Sequence, residues 1–380
     1  MEEKPDHDGI STLRYEDVTE RQVISVIIDD FRDRIVNSGD LDIKAISEKL
    51  KLPAPQLNER ELALLLSTKD PEIIDLLYNI ASSKRESLFD RNVFIRAVIE
   101  ISNYCRRDCK FCGNAASDKK LPRYRANPHD VIEQAERAKG AGIDLIHLAS
   151  GEDNGMRKEV LVEMIRCINQ EMGCTVELAI GDRPIDEYAE FYDAGARRAI
   201  LKFETTNPHL FAEMKPRESL EKRLMLLLRL RKIGFQIGSG NIIGLPGQEF
   251  TDVAHDLFSM INLQTDMAST SVFVPNQESA LKEHPGGDQQ MGLNYIALLR
   301  ILSGDRRISI PTNSTLGETG KHKALEIGAL ELSLNMTPTA NQKRYSLYGG
   351  KDRFRAGIEE IEREVQTYGY KVKPFSQMQL

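Results

Sequence analysis

No apolar run in this sequence is long enough to cross a bilayer. Stretches such as Leu224–Leu228 stop at five residues, against the roughly 20 that a membrane-spanning helix requires. The N-terminal MEEKPDHDG is charged and polar. It has neither the apolar centre of a signal peptide nor the Arg-rich amphipathic pattern of a transit sequence, so the expected location is the cytoplasm. Positive charge is not in excess either. Lys and Arg number 51 against 58 Asp and Glu, a formal net charge of −7, which argues against a general nucleic-acid binder with its net basic face. Cysteine is scarce, five in 380 residues, and an odd count in a chain of this size is not a disulfide framework. Internal repeats, low-complexity segments and a G-x-G-x-x-G dinucleotide fingerprint are all missing. What remains is ordinary globular composition, 41% apolar and 29% charged, with length for two or three domains or one large barrel with an extension.

Residues 1–90 read as a helical extension. Val23–Ile35 and Asp42–Leu50 have helical spacing, the segment 57–67 follows, and Pro71–Ser82 opens with proline in a first helical turn. Pro53 and Pro55 separate the first pair from the second. Part of this region superficially resembles a helix-turn-helix. With acidic surroundings and no basic recognition helix, the expectation is a helical cap on the main domain. From residue 91 the pattern changes to short apolar runs alternating with amphipathic helices. Strands are expected over 94–102, 144–150, 175–180, 198–204, 237–244, 267–274, 308–314 and 329–335. Eight strands alternating with helices match an α/β fold, a parallel (β/α)₈ barrel over residues 91–350. Residues 351–380 read as one last amphipathic helix, Ile358–Tyr370, and a tail.

Three of the five cysteines, Cys105, Cys109 and Cys112, fall within eight residues just after the first strand, spaced C-x-x-x-C-x-x-C. Thiolates this close on one loop converge on one small inorganic object, and soft sulfur ligands favour zinc, copper(I) or iron–sulfur. Zinc wants a fourth protein ligand, and His129 is 17 residues beyond Cys112 at a helix start. Three ligands suit a [4Fe–4S] cluster with one iron left open to an outside ligand. Phe111, just before the third cysteine, is placed to pack over a planar ligand. Cys167 and Cys174 read as structural.

The cysteine spacing after a first barrel strand resembles the signature of the radical S-adenosylmethionine enzymes. That resemblance implies two cofactors, a [4Fe–4S] cluster on Cys105, Cys109 and Cys112, and S-adenosylmethionine chelating the open iron. One-electron cleavage of the sulfonium would give methionine and a 5′-deoxyadenosyl radical, in a barrel that orients and shields the cofactors. The segment Ser150-Gly151-Glu152-Asp153 ends the second strand and is similar to the family's methionine-binding motif, with Glu152 facing the amino group; by spacing alone it reads equally as a turn. In Lys202-Phe203-Glu204-Thr205, at the end of the fourth strand, Glu204 would hydrogen-bond the ribose. Arg223 looks like the family's carboxylate clamp, a task that suits its fork, although its spacing alone reads as a solvated helix residue. Ile243, in the run Asn241–Gln248, would pass the adenine. Tyr104, Phe111 and Lys202 complete the implied cofactor contacts.

Within the superfamily the resemblance is to the biotin-synthase-like branch and its HydE-type [FeFe]-hydrogenase maturases, over roughly residues 57–350. It rests on stretches such as IEISNYCRRDCKFCG, LASGED, GSGNIIGLPGQ, VFVPNQESAL and IPTNSTLG. Carried across, it implies a small anionic, even organometallic, substrate met at the barrel mouth by Arg198, Asn313, Ser314, Tyr345 and Tyr348. It also implies a reductant such as flavodoxin or ferredoxin. Three segments depart from the HydE pattern. Lys202-Phe203 replaces the usual Arg-His, Asn313-Ser314 replaces a threonine pair, and Asn341 replaces an aromatic residue. They fall where substrate belongs, so a paralogous reaction of the 3-methylornithine-synthase kind, a carbon-skeleton rearrangement, is the alternative. No cysteine follows Cys174, so the second cluster of some family members is not expected.

Overall fold

A computed structural model describes residues 19–28, 42–53, 55–347 and 357–378. Its centre is one parallel sheet in the order β6-β5-β4-β3-β2-β1-β7. The strands are β1 Asn92–Ser102, β2 Leu145–Ser150, β3 Thr175–Ala179, β4 Ala196–Ile200, β5 Gln236–Ile243, β6 Met267–Val272 and β7 Glu331–Asn335. The expected seventh strand, 308–314, forms no ladder. It touches β6 through a bridge between Met267 and Ser309, and β7 through one between Pro311 and Glu331. Pro311 has no N–H to donate, which limits this segment to bridges. The two contacts close the sheet into the expected (β/α) barrel.

Alternation along the strands explains the layers. On β1, Val93, Ile95, Ala97, Ile99 and Ile101 are buried in the main apolar core, while Arg96, Val98 and Glu100 line a pocket. Helix starts follow from local chemistry. Asp70, Asn127 and Asn207 each cap a helix whose first residue is proline, Pro71, Pro128 and Pro208, and Asn58 with Glu61 forms a capping box.

The N-terminal helices Glu20–Ile28, Ile43–Leu50, Glu59–Ser67 and Pro71–Phe89 share one continuous core with the barrel. The helix Glu59–Ser67 packs on Phe250–Asn262, and Pro71–Phe89 packs on Gln289–Leu302. Of the first expected helix, residues 29–35 lie outside the described residues. The C-terminal helix runs Ile358–Thr367 and is followed by a short strand, β8 Lys371–Lys373, pairing with the start of β1. Beyond it Phe375 and Met378 join Phe89, Phe94, Leu145 and Leu330 in an apolar plug. Asp144 fixes this plug by accepting from the Phe375 and Ser376 N–H groups at 2.5 and 3.1 Å. The C-terminus is thus the floor of the barrel, and the opposite, carboxyl ends of the strands form its mouth.

Candidate active site

The cluster loop leaves β1 at Ser102 and is held by its own polar groups. The Arg123 guanidinium donates to the carbonyls of Asn103, Asn114, Ala115 and Asp118, at 2.5 to 3.0 Å. Ser102 and Arg125 both donate to Asp153, which ties the loop to the end of β2. Arg125 also lies over the exposed ring of Tyr104, 4.2 Å from its centre. The three cysteines are free thiols, each partly exposed. Arg107 N–H points at Cys105 Sγ (3.5 Å), Asn114 N–H at Cys112 Sγ (3.4 Å) and Lys215 Nζ at Cys109 Sγ (3.6 Å). Donors aimed at each sulfur are an arrangement for anionic sulfur.

As plain thiols Cys109 and Cys112 resist ionisation. Burial pushes Cys109 up to about 11, with Lys215 opposing, and raises Cys112 further, with the neighbouring Cys109 adding to it. A bound cation at the loop would favour the thiolate form of both. The donor set, three soft sulfurs on one short loop with a hydrogen-bond donor aimed at each, fits an iron–sulfur cluster.

Gly151 brings the end of β2 against this loop. A Cβ there would lie 2.3 Å from the Tyr104 carbonyl and 2.8 Å from Cys105 Cβ, so no side chain fits. Next to it Glu152 is buried and accepts from Arg223 (2.8 Å) and Arg107 (2.5 Å). Burial opposes its ionisation, but these two guanidiniums hold its carboxyl below the usual range. Gly181, at φ +77°, leaves the space that Glu152 fills. Arg223, in the first turn of the helix Leu220–Ile233, also reaches Glu218 (2.6 Å) and the Lys202 carbonyl (3.3 Å). It is a buried clamp, not a solvated helix residue.

Glu204 sits at φ +68°, a left-handed conformation that few side chains adopt. It bridges to Asn241 of β5, and Lys202 Nζ lies 3.1 Å from its carboxylate. The turn is pinned from behind. Asp256, fully buried on the helix Phe250–Asn262, accepts from Thr206 N–H (2.6 Å), Thr206 Oγ1 (2.7 Å) and Asn241 Nδ2 (3.2 Å). Burial pushes the Asp256 carboxyl up to about 7 despite these donors. Phe111 packs with Leu210, Met214, Ile242, Leu245 and Phe273 in an apolar wall beside the loop. The Ile243 side chain, expected there, faces the main core instead. Strand alternation turns Ile242 to the wall and Ile243 away.

Below the mouth lies a cavity of about 240 Å³ whose lining includes Arg96, His147, Asn313, Ser314, Ser333 and Tyr345. Asn313 caps the turn Ser314–Leu316 through Thr315 N–H (2.9 Å) and donates to the Thr270 carbonyl. Tyr348 lies outside the described residues. Arg198 is not at the mouth. Its register with Gln236, the first residue of β5, places it near the floor, 1% exposed, with its guanidinium 4.7 Å from the Phe375 ring centre. There it pairs with Glu177 (2.9 Å) and Glu331 (3.2 Å), and Arg96 lies 3.2 Å from Glu177. His147 Nδ1 meets Glu177 Oε1 at 2.5 Å. Burial outweighs Glu177 and lowers the His147 pKa, so the imidazole is neutral and donates. Two arginines balance two glutamates across the lumen. Of this layer only Arg198 is among the residues expected from the sequence. The signal was present as Arg96, His147, Glu177 and Glu331, each breaking an otherwise apolar strand. Arg107, Lys215 and Glu218, around the cluster loop, had no sequence signal of their own.

A model of the Radical SAM superfamily matches residues 99–259. The [FeFe] hydrogenase maturase subunit HydE of Thermotoga maritima is 35% identical over 302 residues, covering 79% of this chain and 86% of its own length. The 3-methylornithine synthase of Methanosarcina acetivorans is 26% identical over 263 residues, covering 69% and 74%. Among solved structures, methylornithine synthase (PylB) aligns with TM-score 0.76 at 24% identity over 87% of this chain and 97% of its own. The maturase HydG from Carboxydothermus hydrogenoformans aligns with TM-score 0.79 at 18% identity over 93% and 85%. These two support the fold.

Proposed function

Because this chain belongs to the radical S-adenosylmethionine superfamily, in its biotin-synthase-like branch, and is an enzyme of that kind, we propose that it carries out HydE-like radical chemistry on a small anionic substrate held in the barrel. Cys105, Cys109 and Cys112 would hold the [4Fe–4S] cluster. When bound, the cluster and S-adenosylmethionine supply one-electron cleavage of the sulfonium and a carbon-centred radical. The chain's residues bind and orient. Glu152 is ionised and takes the ammonium of the methionine moiety, while Arg223 offers its fork to the carboxylate. Glu204 accepts from the ribose, and Tyr104, Phe111, Lys202 and the 242–243 backbone border the nucleoside. The observation that carries the reading is the close approach of Gly151 to Tyr104 and Cys105, which brings Glu152, with Arg223 on its carboxylate, against the cluster loop.

The cavity beneath supplies the substrate side, with Asn313, Ser314 and Tyr345 on its wall and Arg96 and His147 below. Tyr348 belongs to this substrate set through the family resemblance, and Arg198 supports it from the floor. Similarity to HydE favours a role in [FeFe]-hydrogenase maturation with an organometallic substrate. Similarity to 3-methylornithine synthase, with the Lys202 and Asn313-Ser314 departures, favours a second reading as a carbon-skeleton mutase. A one-electron reductant is required in either case, and flavodoxin or ferredoxin is the proposed donor. The test is electron paramagnetic resonance of the reconstituted, reduced protein. A spectrum that changes on adding S-adenosylmethionine supports the reading, and an unchanged spectrum from a fully loaded cluster contradicts it. Separate incubations with iron–cysteine compounds and with lysine then distinguish the two substrates.

A further inference from the structure

Lysine is among the residues least often buried without a partner. Lys215 is nonetheless 6% exposed in its side chain. It follows the helix Pro208–Met214 and is held there by its own N–H to the Phe211 carbonyl (2.8 Å). The turn is also tied to the cluster loop, because Lys110 N–H donates to the Met214 carbonyl at 2.9 Å. These backbone bonds fix where the ammonium arrives. It reaches Cys109 Sγ at 3.6 Å and Glu218 Oε1 at 3.4 Å. Glu218 is itself 3% exposed, lies 3.7 Å from the same sulfur and passes its other oxygen to Arg223 at 2.6 Å.

A cation and an anion thus share one proposed cluster ligand, out of water. Glu218 divides its charge between Lys215 and Arg223, while the ammonium donates directly to sulfur. The Coulomb interaction of a fixed charge with a metal centre is strong where water is excluded. Reduction adds one negative charge to an iron–sulfur cluster, and net charge and hydrogen bonds to its sulfurs set the potential. We propose that Lys215, acting through Cys109, stabilises the reduced cluster and raises its reduction potential, with Glu218 opposing it. The inference rests on the cluster assignment above. Lys215 is a positioning and tuning residue here, since it touches a ligand and not the reacting atoms.

The experiment is a potentiometric titration of the reconstituted protein followed by electron paramagnetic resonance, without S-adenosylmethionine. Lys215→Met should retain wild-type iron content and show about a tenfold lower ratio of reduced to oxidised cluster at a fixed potential, a negative shift of ~59 mV for a one-electron couple. Lys215→Arg should restore the wild-type value, and Glu218→Gln should shift it the opposite way. An unchanged midpoint in both Lys215→Met and Glu218→Gln overturns the proposal and leaves Lys215 as a plain ion-pair partner. If Lys215→Met loses its iron, Glu218→Gln decides alone: a positive shift supports the proposal and no shift overturns it. Failure of the wild-type protein to assemble any cluster would instead sink the parent assignment.

Discussion

Replacing Arg198 by methionine tests whether the layer near the barrel floor is structural. The substitution nearly preserves volume but leaves Glu177 and Glu331, both without solvent exposure, with one cation fewer. Removing one partner of a buried ion pair costs about 3–5 kcal/mol, because the charge left behind is uncompensated. Unfolding entropy of about 2.1 cal/mol/K per residue gives ~0.8 kcal/mol/K for a chain of 380 residues. The expected loss in thermal midpoint is therefore about 4–6 °C for the cluster-free protein at pH 7. The sign with pH is fixed as well. Burial opposes ionisation of Glu177, but Arg198 foremost holds its carboxyl far below the usual range. A depressed carboxylate contributes stability that is present above its unfolded value, about 4.3, and lost as pH falls. The gap between wild type and Arg198→Met should narrow below about pH 4. Differential scanning calorimetry across pH reads both effects. A midpoint within 1 °C of wild type at pH 7, the scale of ~1 kcal/mol here, would refute the reasoning and free Arg198 for a direct substrate role.

Other outcomes follow from single contacts. Asp256 has a raised folded-state pKa, so its contribution to stability is present below about pH 4 and lost as pH rises through about 7. Asp256→Asn, which lets the unpartnered Asn241 Oδ1 accept instead, should gain midpoint over wild type more at pH 8 than at pH 5 by calorimetry. Gly151→Ala should lose most of its reconstituted iron, because the new Cβ meets the Tyr104 carbonyl at 2.3 Å; full iron loading would show that the loop yields. Glu204→Ala should weaken S-adenosylmethionine binding by equilibrium dialysis while leaving iron content intact, and loss of iron would make Glu204 a structural residue.

The barrel was legible because its staves repeat one pattern, a short apolar run ended by a polar or glycine residue. The helices Pro208–Met214 and Gly317–Ile327 were not anticipated. The first is only seven residues, and the second carries Gly317 and Gly320 where a helix former is expected. The cysteine loop was legible because three thiols at fixed spacing have few other uses. Arg198 and Ile243 differ from expectation for separate reasons. Arg198 faces the lumen but lies deep, level with Gln236 at the start of β5, whereas Ile243 presents the other face of its strand, where a shift of one residue exchanges lumen for core. Lys215 and Glu218 escaped notice because only the folded chain brings the 215–218 turn, more than a hundred residues later, against Cys109.

The central claim is most directly tested by anaerobic reconstitution with iron and sulfide, reduction with dithionite, addition of S-adenosylmethionine and quantification of 5′-deoxyadenosine. The account predicts product from the wild-type chain and none from Cys105→Ala, Cys109→Ala or Cys112→Ala. Undiminished product from the cysteine variants, with their cluster absent, would contradict it.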